Sequence, residues 1–270
     1  MTYQTILVHL QLGHPHAALL HLAGRLAGRY GAALIGVAAS EPMQVLVADC
    51  GAEAVLVSED AQRELALCER AFHLALGEQV PSVQWLSRSD CVSASRFVAD
   101  TARRCDLILT DAAPSMFFDP QGVSVGDLLM HAGRPLLITP PAARPLLFQH
   151  ALLAWDDSRE CRRAASDALP LLRDCTQVSV ARLTSRDGEA ATAVQLNEVT
   201  VWLASHGITA SPLVLHVNGD ARQIVRIAEE HACDLIVAGG YGHSRAREWA
   251  LGGTTRELLS QQHFCVLMAH

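Results

Sequence analysis

Glycines cluster in the stretch of chain that follows residue 238. Two residues separate Gly239 from Gly242, and nine further residues separate Gly242 from Gly252, which Gly253 follows directly. Glycine lets backbone N–H groups approach an anion closely, and it adopts the positive φ that a phosphate-binding loop needs. The composition and spacing of this stretch therefore predict a phosphate-binding loop, with tight turns that bind no ligand as the alternative.

The residues after this loop predict the start of a helix. Thr254 and Glu257 have the spacing of a capping box, and Thr255 lies in the same first turn. The first turn of a helix presents unpaired N–H groups and the positive end of the helix dipole, which attract anions. Both threonines are interpreted first as helix caps, and second as contacts to a phosphate.

The composition excludes several kinds of catalytic site. The chain contains no lysine, so its 21 basic residues are all arginine. A Walker-type P-loop, a kinase-type lysine and a Schiff-base lysine are therefore excluded. The His-Glu-x-x-His pattern is absent as well. His14 and His16 have no third ligand nearby in the sequence. We predict no catalytic residue and no metal site.

Strands alternate with helices along the whole chain, and the pattern runs twice. This alternation predicts two tandem α/β domains, each a doubly wound, five-stranded parallel sheet of Rossmann-like type. Identical Cys-Asp-Leu-Ile segments, at 105–108 and 233–236, enter the fourth strand of each repeat. We predict domains at residues 1–140 and 150–270, joined by a proline-containing linker at 141–149.

The sequence also predicts the structure of two shorter segments and the position of one acidic residue. Residues 40–55 are apolar but interrupted by Pro42 and Gly51, and we expect a loop or a short helix there. A single helix is predicted for residues 158–172. In a doubly wound sheet, ligands bind at the carboxyl ends of the strands, where the strand order reverses. Asp156 follows the predicted strand at 151–155, which places it at that edge.

The order Gly-x2-Gly-x9-Gly after a buried strand resembles the nucleotide loop of the universal stress protein family. The segment from Ala154 to Glu160 resembles that family's first strand with its adenosine-side aspartate, and residues 266–270 resemble its closing strand. Leu183 lies at the end of the second strand, where the family offers backbone groups to adenine. The resemblance implies binding of ATP or another adenine nucleotide, with or without Mg²⁺, by Ala154, Asp156, Leu183, Gly239, Gly242, Gly252, Gly253, Thr254 and Thr255.

One residue departs from the family pattern. Members that bind ATP usually carry Ser or Thr directly after the third glycine, and this chain has Gly253 there. Three hypotheses follow from the resemblance: a regulatory protein that binds an adenine nucleotide in its C-terminal domain, a partner-binding stress protein with no cofactor, and a slow ATPase. We expect no enzyme activity beyond weak ATP hydrolysis or autophosphorylation. An electron-transfer flavoprotein subunit fits the order of motifs less well.

The N-terminal repeat lacks both ends of this pocket. It has His9-Leu-Gln11 where the second repeat has Trp155-Asp156, and Thr110-Asp-Ala-Ala-Pro114 where the second repeat has its glycines. Proline supplies no N–H group for a phosphate. We therefore predict a scaffold or regulatory role for residues 1–139. The resemblance also implies that the two repeats form a pseudo-dimer within the chain, and it leaves homodimerisation open.

Charge and composition restrict the partners. The net charge of −7 and a pI of about 6.0 disfavour nucleic acid, whose phosphates require clustered cations. No apolar run approaches the length of about 20 residues that a membrane helix needs, and the N-terminus lacks the basic region of a signal peptide. Eight cysteines without a Cys-x-x-Cys motif favour packed, reduced thiols, and hence a cytoplasmic protein.

Overall fold

A computed structural model of the chain describes residues 2–47, 52–56, 58–112, 122–140, 148–216, 222–240, 257–258 and 263–270. The chain divides into two compact units. The N-terminal unit comprises Tyr3–Arg134, and the C-terminal unit comprises Pro135–His270 together with Met1 and Thr2. The predicted linker at residues 141–149 lies largely outside the described residues, so the boundaries drawn from the sequence stay predictions.

The N-terminal unit is built on four parallel strands. Its strands are β1 (Thr5–His9), β2 (Ala33–Ala39), β3 (Met43–Val47), β4 (Ala52–Leu56), β5 (Val83–Arg88) and β6 (Leu107–Asp111). Its helices are α1 (Ala17–Tyr30), α2 (Glu59–Leu76), α3 (Ala94–Thr101) and α4 (Val125–His131). The parallel strands lie in the order β6-β1-β2-β5, so the switch point falls between β1 and β6.

The prediction of a loop or a short helix at residues 40–55 is wrong. β3 and β4 pair antiparallel as a separate two-stranded sheet, with Met43 opposite Leu56 and Val47 opposite Ala52. Pro42 biases the residue before it, Glu41, away from the helical region, which disfavours a helix running through this point. β3 contains Val45 and Val47 and β4 contains Val55, and β-branched residues favour extended backbone.

The C-terminal unit repeats the parallel arrangement with two added strands, a fifth parallel strand and one antiparallel strand. Its strands are β7 (Leu136–Thr139), β8 (His150–Ala154), β9 (Gln177–Thr184), β10 (Ala210–His216), β11 (Leu235–Gly239) and β12 (Cys265–Ala269). Its helices are α5 (Arg159–Asp167), α6 (Leu169–Asp174), α7 (Glu189–Ser205) and α8 (Gln223–Glu230). The order is β10-β9-β8-β11-β12-β7, in which β8 to β12 are parallel and β7 runs antiparallel to β12.

The predicted fold class, tandem α/β units with doubly wound parallel sheets, is confirmed by these strand orders. One predicted helix differs in detail, because residues 158–172 form α5 and α6 with Ala168 between them. Pro170 lies in the first turn of α6, and proline is tolerated there because that N–H has no helical partner. Across the described residues, no helix is long and apolar enough to span a bilayer.

The repeated Cys-Asp-Leu-Ile segment has a structural role. The Asp106 carboxylate accepts hydrogen bonds from the backbone N–H groups of Gln4 (2.7 Å) and Thr5 (3.0 Å), where β1 begins. The Asp234 carboxylate accepts the corresponding bonds from Gln149 (2.7 Å) and residue 150 (3.2 Å), where β8 begins. Each aspartate therefore fixes the start of its unit's first strand from the neighbouring fourth strand.

His9 ends β1 inside the core of the N-terminal unit. Its Nδ1 lies 2.9 Å from Thr110 Oγ1, and the residue is 2% exposed. Burial lowers the pKa of His9 to about 3, and the proximity of His16 acts in the same direction. The neutral imidazole is therefore the form that the folded unit accommodates.

This lowered pKa predicts a loss of stability on acidification. The unfolded chain takes up a proton at His9 below about pH 6.5 while the folded chain does not, so stability is full above that pH and falls toward the folded pKa. Between pH 7.5 and pH 5 we expect His9 to contribute a loss of about 2 kcal/mol. Urea unfolding of wild type and His9→Asn at both pH values measures it. Identical pH dependence of the two proteins would contradict the assignment.

Candidate functional site

The switch point of the C-terminal unit lies at the carboxyl end of β8. Ala154, the last residue of β8, is opposite Ala181 in β9 on one side and Ala238 in β11 on the other. The residues that follow these strands therefore meet at one edge. Asp156 and Gly239 are brought together there, as the sequence predicted from strand order.

The segment after Ala154 forms a hydrogen-bonded turn into α5. Trp155 N–H donates to the carbonyl of Ala181 (2.7 Å), continuing the ladder by one bond. The exposed Asp156 accepts hydrogen bonds at Oδ1 from the backbone N–H (3.0 Å) and the hydroxyl (2.6 Å) of Ser158. The Ser158 hydroxyl in turn caps α5 by accepting from Cys161 N–H (3.1 Å). Asp156 thus shapes the turn, in addition to any contact with a ligand.

Leu183 lies on the part of β9 that extends beyond β8. Pairing between the two strands ends with Ala154 opposite Ala181, whose carbonyl accepts the Trp155 bond. Backbone groups of residues two apart in a strand point to the same side. The N–H and C=O of Leu183 therefore face the β8 side, above the turn that contains Asp156.

Gly239 is the last residue of β11, and packing explains why it is glycine. A Cβ on this residue would lie 2.6 Å from the backbone nitrogen of Cys161 and 3.0 Å from its Cα. The first turn of α5 therefore rests directly on the backbone of β11. Sequence reasoning assigned Gly239 to a phosphate loop, and the structure adds this second requirement.

The first turn of α5 carries its own buried acid. Glu160 is 4% exposed and forms an ion pair with the exposed Arg159. Burial raises the pKa of Glu160, but the hydrogen bonds from Arg159 and from its own backbone outweigh burial, so the pKa lies below its usual value. A carboxylate therefore already lies at the start of α5, where the positive end of the helix dipole stabilises it.

Cys161 sits at the centre of this edge, and its thiol is structural. Its Sγ–H donates to the carbonyl of Ala154 (3.3 Å), and burial raises its pKa to about 12. The seven described cysteines are free, and most are buried, as the sequence predicted. The remaining predicted site residues, Gly242, Gly252, Gly253, Thr254 and Thr255, lie outside the described residues and stay predictions.

The corresponding edge of the N-terminal unit holds paired side chains. His9 contacts Thr110, and His16 Nδ1 lies 2.9 Å from the Asp111 carboxylate, with both side chains of the second pair under 9% exposed. The Cys68 sulfur lies 3.6 Å from His16 Nε2. Sequence reasoning treated this half as degenerate and missed the cluster. The available signal was the polar sequence at the carboxyl ends of β1 and β6, which must meet in a parallel sheet.

Two comparisons with known sequences point to the same family. The sequence model of the Universal stress protein family matches residues 147–270. A universal stress protein of Synechocystis sp. is 27% identical over 149 residues, which amount to 54% of this chain and 50% of that protein. The match therefore spans about half the length of this curated relative.

Similar solved structures cover nearly the whole chain. A universal stress protein from Archaeoglobus fulgidus gives a TM-score of 0.72 at 14% identity, covering 98% of this chain and 95% of that one. A functionally unknown protein from Pseudomonas aeruginosa PAO1 gives a TM-score of 0.66 at 19% identity, covering 99% and 92%. At these identities the likeness concerns the fold alone.

The packing of Gly239 yields a paired prediction. Gly239→Ala forces α5 away from β11 and should lower the free energy of unfolding by about 1–3 kcal/mol, the usual cost of overpacking. Gly28→Ala is the matched control, because that exposed position in α1 has no atom within 4 Å of an added Cβ. It should raise stability by about 0.5–1 kcal/mol. Urea unfolding measures both, and a neutral Gly239→Ala would refute the packing argument.

Three observations point to the same kind of protein. They are the site at the carboxyl ends of β8 and β11, the doubly wound topology, and the sequence match. The match covers the unit in which the glycine spacing and Asp156 occur, and the fold likeness extends over both units. The C-terminal unit thus matches the universal stress protein family in sequence, and the chain as a whole is similar in fold to a universal stress protein.

Proposed function

We propose that this chain is a stress-response regulatory protein that binds ATP or a related adenine nucleotide in its C-terminal unit. The observation that carries the proposal is the convergence of Asp156, the backbone of Leu183 and Gly239 at the carboxyl ends of three neighbouring strands. Doubly wound sheets bind nucleotides at this place. The glycine spacing beyond Gly239 supplies the phosphate-binding part.

The backbone of Leu183 has the right donor and acceptor for adenine. An adenine edge presents the N6 amino group as a donor beside a ring nitrogen as an acceptor. One N–H and one C=O on the same side of an extended residue complement that pair. Recognition through the backbone also explains why an apolar side chain occupies this position.

Asp156 lies between the adenine and phosphate ends of the proposed site. Its carboxylate has two oxygens, and a ribose hydroxyl is a suitable donor to such a group at the end of a first strand. Trp155 adds a buried indole N–H that has no hydrogen-bond partner within the described structure, although the residue is 8% exposed. A buried donor of this kind costs about 1–3 kcal/mol when unpaired, which favours a bound acceptor nearby.

The N-terminal unit is proposed as a scaffold or regulatory unit without a nucleotide. The His9–Thr110 and His16–Asp111 pairs occupy its carboxyl edge, and their polar atoms are turned toward each other. Binding in the cytoplasm, without catalysis of its own, is the role we infer for the whole chain. The alternative is a partner-binding protein without nucleotide, and Gly253 is the residue that favours it.

Binding can be tested on the purified, full-length protein. Denaturation followed by mass spectrometry identifies any nucleotide carried through purification, and calorimetry measures binding of added Mg-ATP. We expect about one equivalent in wild type and none in Gly242→Val, because a branched side chain cannot adopt the loop conformation. Release of no nucleotide and no calorimetric binding would leave the partner-binding alternative.

A matched pair of variants locates the site in one unit. Asp156→Asn keeps an acceptor for Ser158 but removes the charge, and it should weaken Mg-ATP binding by roughly tenfold or more, since a charged hydrogen bond contributes about 1.5–3 kcal/mol. Gln11 is its counterpart, because Leu10 N–H donates to Val37 just as Trp155 N–H donates to Ala181. Gln11→Ala should leave affinity unchanged. Equal effects of both variants would refute this location.

A further inference from the structure

A Cys-His-Asp chain lies in the N-terminal unit, outside the proposed nucleotide site. Cys68 Sγ is 3.6 Å from His16 Nε2, and His16 Nδ1 is 2.9 Å from the Asp111 carboxylate. The three residues come from α2, the residue before α1, and the end of β6. This arrangement of nucleophile, base and orienting acid is the one that activates side-chain nucleophiles in enzymes.

The hydrogen bonds fix the tautomer of His16. A carboxylate only accepts hydrogen bonds, so Nδ1 carries the proton that is shared with Asp111. In this tautomer the neutral form of the ring has its lone pair at Nε2, which lies 3.6 Å from the Cys68 sulfur. Asp111 is therefore a positioning residue, and His16 is placed to take the thiol proton.

We propose that Cys68 is a peroxide-reactive thiol, with His16 as its acid–base partner. His16 Nε2 takes the Sγ–H proton as sulfur attacks one oxygen of hydrogen peroxide. The S–O bond forms, the O–O bond breaks, and the leaving hydroxide takes the proton back from His16 to give water. The sulfur is oxidised to a sulfenic acid by two electrons, and the peroxide is reduced.

Burial decides which oxidants can react. Cys68 is 3% exposed, which favours hydrogen peroxide over bulky organic hydroperoxides and alkylating reagents. Burial raises the pKa of Cys68 to about 12, and the Glu64 and Asp111 carboxylates act in the same direction. Free thiolate is therefore scarce, and the reaction depends on proton removal by His16 during the attack.

A buried hydroxyl on the face of β2 that packs against α2 supports the proposal that the reactant is small and polar. The Ser40 Oγ is buried without a hydrogen-bond partner in the described part of the chain. A Cβ on Gly36 would lie 2.8 Å from Phe72 of α2, and alternation along the strand directs Ser40 to that same face. Cys68 lies one turn before Phe72 on the buried stripe of α2. A peroxide oxygen is a suitable partner for this hydroxyl.

The test compares thiols within the same molecule. The reduced full-length protein is treated with hydrogen peroxide, catalase removes the remaining peroxide, and the protein is then denatured in the presence of dimedone, so that peptide mass spectrometry measures the sulfenic acid formed at each cysteine. Cys105 is the internal control: it is fully buried in the same unit, and its pKa is raised by burial only to about 11. Its thiol donates a hydrogen bond to the Thr101 carbonyl (4.0 Å). A backbone carbonyl is not basic enough to remove the thiol proton, so Cys105 has no general base.

We expect Cys68 to be labelled at least tenfold faster than Cys105, although thiolate population alone predicts the opposite order. In denaturant the preference should vanish. Labelling of Cys68 at or below the rate of Cys105 in the native wild-type protein would overturn the proposal. This comparison needs no variant, so it does not depend on whether a substituted chain folds.

Two variants then test the roles of the partners. His16→Asn keeps a donor for Asp111 but removes Nε2, and Asp111→Asn keeps the shape but removes the charge. Both should slow labelling of Cys68 at least tenfold and leave Cys105 unchanged. If His16 and Asp111 served only packing, the variants would loosen the unit and speed up labelling of Cys68. Unchanged or faster labelling would therefore refute the proposal, whether or not the C-terminal unit binds nucleotide.

Discussion

This structure depends on one constraint: the groups at the carboxyl ends of its parallel strands meet at a common edge and need partners. At that edge the strand ladder stops, and side chains, backbone groups and helix starts must find partners or a ligand. The two units meet this requirement differently. In the N-terminal unit His9 is paired with Thr110, and His16 is paired with Asp111, inside the fold. In the C-terminal unit Asp156 accepts hydrogen bonds from its own turn, and Leu183 directs its backbone over the end of β8.

The alternation of strands and helices was sufficient to predict the fold class, because buried strands and amphipathic helices leave periodic patterns in the sequence. It also placed Asp156 and Gly239 at one edge. The β3–β4 hairpin was missed because an apolar segment broken by Pro42 and Gly51 has no clear period. The break between α5 and α6 was missed because the apolar pattern continues through Pro170.

Contacts between distant residues explain the other gaps. His16, Cys68 and Asp111 lie on separate elements, and no spacing in the sequence indicates that α2 places a thiol against the imidazole that Asp111 orients. The requirement for glycine at position 239 has the same origin, since it arises from the backbone of α5 rather than from the loop after β11. Tertiary packing, which a single sequence records only indirectly, determined both.

The paired carboxylates Asp106 and Asp234 have a consequence for how the two units diverged. Each holds the amino end of a first strand, at the edge of the sheet opposite the carboxyl ends of the strands. The aspartates that fix the first strands and the residues at the carboxyl edge are thus separated by the length of a strand. After a duplication, substitutions at one edge therefore leave the anchor at the other intact, so a copy is free to exchange one ligand chemistry for another while it still folds.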